Sequence, residues 1–464
     1  MGRSYTLKTV RIAALSAGLM LAGFVSGQAR ADNLADAMIG AYNTSGLLEQ
    51  NRALLRAADE DVAQAVATLR PIIDWTASVT RTDRRGSSTQ TSFLGLTAEL
   101  LLFDSGGRRY AVKAAKETVL ATRQTLISVE QQILLRAVAA YFNVVLQQQN
   151  VALRENNVGL LGEELRAAQD RFEVGEVTRT DVALAESSQA AARSNLAAAR
   201  GQLDNARAEY LAAVGHKPNN LVQQPKLPSA PATSDAAVAV AVRNHPDILA
   251  AQRQVAAAEL NIRQAESALG PSVALRGQIG ASEGLSDSGY NREASISLNL
   301  SQPIYRGGSL NSQIRRVMAT RDSIRANLLT VQENIGLTAT NAFVRYEVAR
   351  ASLAASNERI RAAQVAFDGI REEAKLGART TLDVLQAEQE LLDARTAQIS
   401  ARAEESIAAF QLLAAQGLLT VEHLGLAVQV YDPALYYNLV KDAPARTSKQ
   451  SRDLDRVLKA LGKE

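Results

Sequence analysis

Two stretches of this chain repeat one another at a fixed separation, and that repetition limits the fold more than any other feature. Gly175, Thr178, Asp181, Val182, Ala185 and Glu186 recur as Gly377, Thr380, Asp383, Val384, Ala387 and Glu388, an offset of 202 residues. Residues 103–109 (FDSGGRR) meet 304–310 (IYRGGSL) at an offset of 201, and Pro71 meets Pro271 at 200. A near-constant offset across separate motifs means that a whole architecture is duplicated, so each half should be one copy of the same long supersecondary unit. Chains of this kind more often build scaffolds, barrels or channels than one-site enzymes.

Residues 1–31 read as a signal peptide. Arg3, Lys8 and Arg11 precede an apolar run over 12–25, and Ala29, Arg30 and Ala31 form a small-residue cleavage signature. Cleavage before Asp32 removes four basic residues and no acidic one, taking the formal net charge from +3 to −1. The apparent basicity therefore belongs to the targeting segment and argues against a nucleic-acid partner. Cysteine is absent, so stability must come from packing. His216, His245 and His423 lie far apart without ligand spacing, so no metal or other cofactor is expected. Beyond residue 31 no apolar run is long enough for a transmembrane helix, which leaves a secreted soluble chain or a membrane β-barrel.

The pattern along the chain divides it into residues 32–230, 231–430 and a tail over 431–464. Each of the first two reads as a helix, a strand pair and two long helices. The leading helices are expected over 34–70, ended by Pro71, and over 235–269, ended by Gly270 and Pro271. Long helices are expected over 107–172 and 181–215, and again over 308–373 and 381–416. A helix over 107–172 would be a rod roughly 100 Å long. Its apolar residues recur at sevens, with Val112, Val119, Leu126, Ile133 and Ala140 beside Leu120, Ile127, Leu134 and Tyr141. Sustained heptads mark a seam that needs partner helices. On the return helices Ala185, Ala192, Ala199, Ala206 and Ala213 fall at strict sevens, as do Ala387, Ala394, Ala401, Ala408 and Ala415. Such lines of small side chains let a neighbouring helix approach closely.

Strand pairs are expected over 72–102 and 272–303. Ile73, Trp75, Ala77 and Val79 alternate with Asp74, Thr76, Ser78 and Thr80, and Ile296, Leu298 and Leu300 alternate with Ser295, Ser297 and Asn299. Segments of about ten residues, apolar on one face and polar on the other, suit a membrane barrel with a wet interior. The polar stretches 83–91 and 282–292 read as outer loops, and Trp75 as a lipid-facing or interfacial residue. Four strands cannot close a barrel, because membrane barrels need at least about eight, and an open edge in lipid leaves backbone groups unpaired. Other copies of the chain must complete the sheet; spacing alone allows two copies or three. In the tail, residues 442–453 read as loose and 454–462 as a short helix.

Residues 301–316 (SQPIYRGGSLNSQIRR), 377–394 (GARTTLDVLQAEQELLDA), 171–182 (RFEVGEVTRTDV) and 140–145 (AYFNVV) resemble the TolC family of outer-membrane efflux and type I secretion channels. The likeness runs from residue 32 to about 426. It implies a mainly α fold with a β-barrel portion, four long helices and four strands per chain in two internal repeats. The implied assembly is a homotrimer with a 12-stranded barrel in the outer membrane, continuous with an α-helical barrel across the periplasm. The implied role is an exit duct of a tripartite export system, passing proteins, small toxic compounds or both. Its implied partners are a periplasmic adaptor, an inner-membrane ABC or RND-type transporter and outer-membrane lipid.

The resemblance places a periplasmic gate at Arg379, Asp383 and Gln386, and adaptor docking at the tip turns carrying Gly175, Thr178, Asp181, Gly377 and Thr380. Gln386 stands where the family has a second aspartate, and Ala374 and Arg166 stand where its latch partners are expected. Thr178 with Asp181 and Thr380 with Asp383 also have the spacing of capping boxes, which gives the aspartates a structural role at a helix start. The two glycines fit turns that need positive φ. No nucleophile set, P-loop or dinucleotide fingerprint is present in a supporting context, so an enzyme is not expected. The alternative from another class is a soluble periplasmic or surface coiled-coil spacer, against which the apolar strand faces argue.

Overall fold

A computed structural model describes residues 32–284, 289, 291–446 and 448–460. The expected signal peptide lies outside the described residues, as does the middle of the polar stretch 282–292. Among the described residues the order is α1 (Leu34–Thr44), α2 (Gly46–Ala67), β1 (Ile72–Arg84), β2 (Ser87–Phe103), α3 (Gly107–Glu173) and α4 (Arg179–Val214). The second half follows as α5 (Ser234–Asn244), α6 (Pro246–Ser267), β3 (Ser272–Gly284), β4 (Asn291–Ser301), α7 (Ser309–Lys375) and α8 (Thr381–Ala415), and the tail adds α9 (Pro433–Val440) and α10 (Lys449–Ala460). The described residues are thus mainly helical, with four long helices and one antiparallel sheet in the order β1-β2-β3-β4.

The leading helix of each half is two helices rather than the single one expected. Ser45 is extended between α1 and α2, and its hydroxyl accepts from the Leu48 N–H at 3.3 Å. His245 is extended between α5 and α6 (φ −66°, ψ 125°) because Pro246 excludes the helical conformation from the residue before it. Beyond the break α2 packs on α3, and α6 packs on both α3 and α7.

The rods α3 and α7 have 67 residues each, about 100 Å at 1.5 Å per residue. Both start at a strand-to-helix corner where Gly106 (φ 90°) and Gly308 (φ 80°) take the left-handed conformation closed to most side chains. At the first corner Arg108 pairs with Asp104 at 3.2 Å and also donates to the Leu101 and Thr68 carbonyls, tying the strand end to α2.

The heptad lines do bury. Val112, Val119, Leu126, Ile133 and Ala140 are buried, and Leu134 and Tyr141 are fully enclosed. Each enclosed Leu contributes on the order of 1.5–3 kcal/mol relative to exposure. On α4 Ala185, Ala192, Ala199 and Ala206 are buried, and on α8 Ala394, Ala401, Ala408 and Ala415. α3 and α4 pair as one antiparallel hairpin and α7 and α8 as a second, with α8 also packing on α3. The largest core lies midway along α3, where Tyr42, Leu55, Leu134, Tyr141, Tyr210 and Leu419 meet. Tyr141 donates its hydroxyl to the Val222 carbonyl at 2.7 Å, so the enclosed polar tip is satisfied.

The stretch 83–91 is not an outer loop. β1 and β2 continue through it in register to the pair Arg84 and Ser87, and only Arg85 and Gly86 (φ 89°) turn. Its polarity marks the ends of strands. In the tail, α10 begins at Lys449, inside the stretch expected to be loose. Leu454 and Leu458 pack with Tyr436, Val440 and Ala63, while Tyr436 donates to Glu60 at 2.7 Å. The Arg123 guanidinium stands 5.3 Å from the Tyr437 ring centre, and Arg70 donates to the Asp442 and Ala443 carbonyls. The tail is therefore pinned across α2 and α3.

Candidate functional site: a two-faced sheet and paired hairpin tips

Alternation in the strands sorts side chains onto two faces, and the register brings like with like. Ile73 lies opposite Ala98, Trp75 opposite Leu96, Leu96 opposite Ile279, Leu275 opposite Leu298 and Val273 opposite Leu300. This apolar face is bare: Trp75 is 68% exposed, Ile296 84% and Leu300 72%. A patch of this kind on a water-soluble surface would be an aggregation liability; in lipid it is the ordinary outer face of a barrel. The opposite face carries Asp74, Thr97, Glu99, Gln278, Ser295 and Ser297, with Arg276 donating to Glu99 at 2.8 Å. On that face the Phe93 ring lies over Gly95 and Gly280, where an added Cβ would stand 2.6 and 2.5 Å from it. Among the described residues strands β1 and β4 each pair on one side only, so both sheet edges are open.

About 100 Å of helix separates the sheet from the hairpin tips. There Gly175 (φ 79°) and Gly377 (φ 75°) reverse the chain. Each tip ends in a reciprocal capping box. Thr178 Oγ1 accepts from the Asp181 N–H at 3.3 Å and Asp181 Oδ2 accepts from the Thr178 N–H at 2.9 Å. Thr380 and Asp383 repeat this at 3.2 and 2.9 Å. Hydrogen bonds from the Thr178 hydroxyl and then its N–H hold the Asp181 carboxyl below the usual carboxylate range. At Asp383 the Thr380 N–H is the larger cause and its hydroxyl the next. Both aspartates therefore serve as helix starts.

The structure brings Thr178, Asp181, Gly377, Arg379 and Thr380 around one depression between the two tips, together with Arg171 and Glu176. Arg379 is spent on its own hairpin, donating to Glu373 at 2.8 Å. Ala374 is buried against Phe367, Val384 and Leu391. Gln386 is not at this depression; it lines a second cavity farther along α8, beside Glu388. Glu388 is 3% exposed, and the Asn157 amide donates to it at 2.6 Å. Sequence reasoning matched Glu388 to Glu186 but gave it no role. The available signal was a carboxyl standing in the apolar spacing Leu385, Glu388, Leu392.

A sheet fragment with a lipid-type face and two open edges, carried on paired helical rods, defines a subunit of an outer-membrane channel. The family model for the outer membrane efflux protein matches residues 41–216 and 238–418. The outer membrane efflux protein BepC of Brucella suis biovar 1 (strain 1330) is 37% identical over 437 residues, covering 92% of this chain and 95% of BepC. The outer membrane protein TolC of Escherichia coli (strain K12) is 27% identical over 149 residues, 32% of this chain and 30% of TolC. The solved structure of the outer membrane protein VceC of Vibrio cholerae superposes with a TM-score of 0.71 at 21% identity, covering 83% of this chain and 96% of VceC. The chain belongs to the outer membrane efflux protein family. It is an outer-membrane duct for efflux that extends into the periplasm, and its relatives are channels rather than enzymes.

Proposed function

We propose that three copies of this chain assemble into the duct, and that the duct is the passive exit of a tripartite exporter. The observation that carries this reading is the open four-stranded sheet. Lipid would leave the free N–H and C=O groups of β1 and β4 unsatisfied at several kcal/mol each, so the edges must pair with neighbouring copies. Three sheets give twelve strands, enough for a water-filled conduit rather than a barrel packed with side chains. The polar face, with Glu99 and Arg276, then lines the conduit, and the six hairpins continue it across the periplasm.

Arg379, Asp383 and Gln386 form the periplasmic entrance in this reading. The tip turns at Gly175, Thr178, Asp181, Gly377 and Thr380 meet a periplasmic adaptor, which joins the duct to an inner-membrane ABC or RND-type transporter. The transporter supplies energy and chooses the cargo, protein or small toxic compound; the duct itself catalyses no reaction. Purified trimers reconstituted in planar bilayers are expected to give discrete ion conductance. Folded trimers without conductance would overturn the proposal, and extraction of the protein from cells without detergent would favour a soluble spacer instead.

A further inference from the structure

Among the described carboxyls of the four long helices, only Glu388 is buried. It projects from α8 into the seam between the two hairpins, where Asn157 Nδ2 of α3 donates to its Oε1 at 2.6 Å and its Oε2 has no hydrogen-bond partner among the described residues. A cavity lined by Leu161, Ala192, Asn195, Leu382, Leu385 and Gln386 opens beside the pair. A second polar bridge crosses the same seam, Arg371 of α7 to Glu164 of α3 at 3.3 Å. These two are the charged groups that act on Glu388; the polar groups facing it from α4 (Ser188, Asn195) and along α8 (Gln386, Gln389) are neutral. The equivalent residue of the first repeat, Glu186 on α4, is exposed. One hairpin therefore inserts an acid into the other, and the reverse does not occur.

We propose that Glu388 and Asn157 form a proton-dependent clasp that holds the α7/α8 hairpin against the α3/α4 hairpin and so governs opening of the periplasmic entrance. The inference rests on the duct reading above. As a neutral acid, Glu388 fits the apolar seam and keeps its bond from Asn157. When its proton leaves to water, a buried charge remains with one hydrogen bond and an unpartnered oxygen, close to the Glu164 carboxylate.

Burial, with the Glu164 charge adding to it, raises the Glu388 pKa to about 7 against the opposing pull of Asn157 and Arg371. The acid form is thus bound more tightly in the closed seam than in a solvated one. Closure is strongest at low pH, weakens as pH rises from the ordinary glutamate range to about 7, and stays weak above it. A shift of this size sets a ceiling of roughly 300-fold on the change in the open-to-closed ratio. Water entering the adjoining cavity relieves part of it, leaving a change on the order of tenfold. Glu388 is a positioning residue: it touches no cargo.

Two measurements on intact trimers test this. In planar bilayers the wild-type open probability is expected to rise about tenfold between pH 5 and pH 8. Glu388→Gln, a neutral isostere that keeps the acceptor for Asn157, is expected to stay mostly closed at both. The chain has no cysteine, so spin labels at Ala190→Cys on α4 and Asp393→Cys on α8 report hairpin separation directly. The separation is expected to widen over the same pH range in otherwise wild-type protein and not in the Glu388→Gln background. Identical pH profiles in the two proteins, or label distances indifferent to pH, overturn the clasp. Labels that move in trimers lacking conductance would support the clasp while removing the duct.

Discussion

Placing one arginine on β4 distinguishes a lipid-facing sheet from a soluble one. Ile296 is the central residue of β4, five positions from either end, and lies opposite Gly277 on the apolar face. Five residues at about 3.4 Å each and a tilt of about 45° place it roughly 12 Å from either strand end, half of a band about 25 Å tall. It therefore sits at mid-membrane, where arginine on the lipid face costs about 2–4 kcal/mol per chain, or roughly 6–12 kcal/mol for a trimer. Ser295→Arg, one residue away, points to the polar face opposite Gln278 and should cost well under about 1 kcal/mol per chain. Urea unfolding of trimers in lipid vesicles, followed with the yield of folded trimer in the outer-membrane fraction, measures both. A soluble sheet already exposes Ile296 at 84% and would accept arginine there without loss. Equal tolerance of the two substitutions would refute the membrane orientation of this sheet.

Two further substitutions address the rods and the tips. Ala394 is fully buried on the close-contact line of α8, so Ala394→Leu should overpack the hairpin by about 1–3 kcal/mol and lower the thermal midpoint of the trimer; an unchanged midpoint would mean that the alanine line is not a packing seam. Asp383→Asn keeps an acceptor for the Thr380 N–H but removes the charge, so reversal potentials should show weaker cation preference with trimer stability retained. The Thr380 hydrogen bonds hold the Asp383 carboxyl below its usual range, so its charge, and with it wild-type cation preference, should persist as pH falls through ordinary carboxylate values. Selectivity that is the same in mutant and wild type would leave Asp383 a capping residue only.

Legibility followed the range of the interactions. The rods were readable because heptads and an unbroken helical pattern state their own length, and the capping boxes because their bonds span three residues. The break before Pro246 was readable in principle, since proline restricts the residue ahead of it. The equivalent break at Ser45 carries no such mark. Polar residues 83–91 looked like a loop because polarity on its own does not separate a turn from a strand that has left the lipid. Glu388 was hidden for a different reason: its chemistry depends on Asn157, Glu164 and Arg371, which sit on other helices.

The duplicated halves, the two faces of each strand and the alanine lines were all legible in the sequence, because periodicity is a local constraint. Tertiary structure alone decided which hairpin inserts a carboxyl into the other, how the tail is pinned over α2 and α3, and that Arg379 is engaged by Glu373 within its own hairpin. Matched residues such as Glu186 and Glu388 are equivalent in a repeat, but their surroundings are not. Burial and neighbouring charge, which set a side chain's protonation and its partners, are properties of the packed molecule.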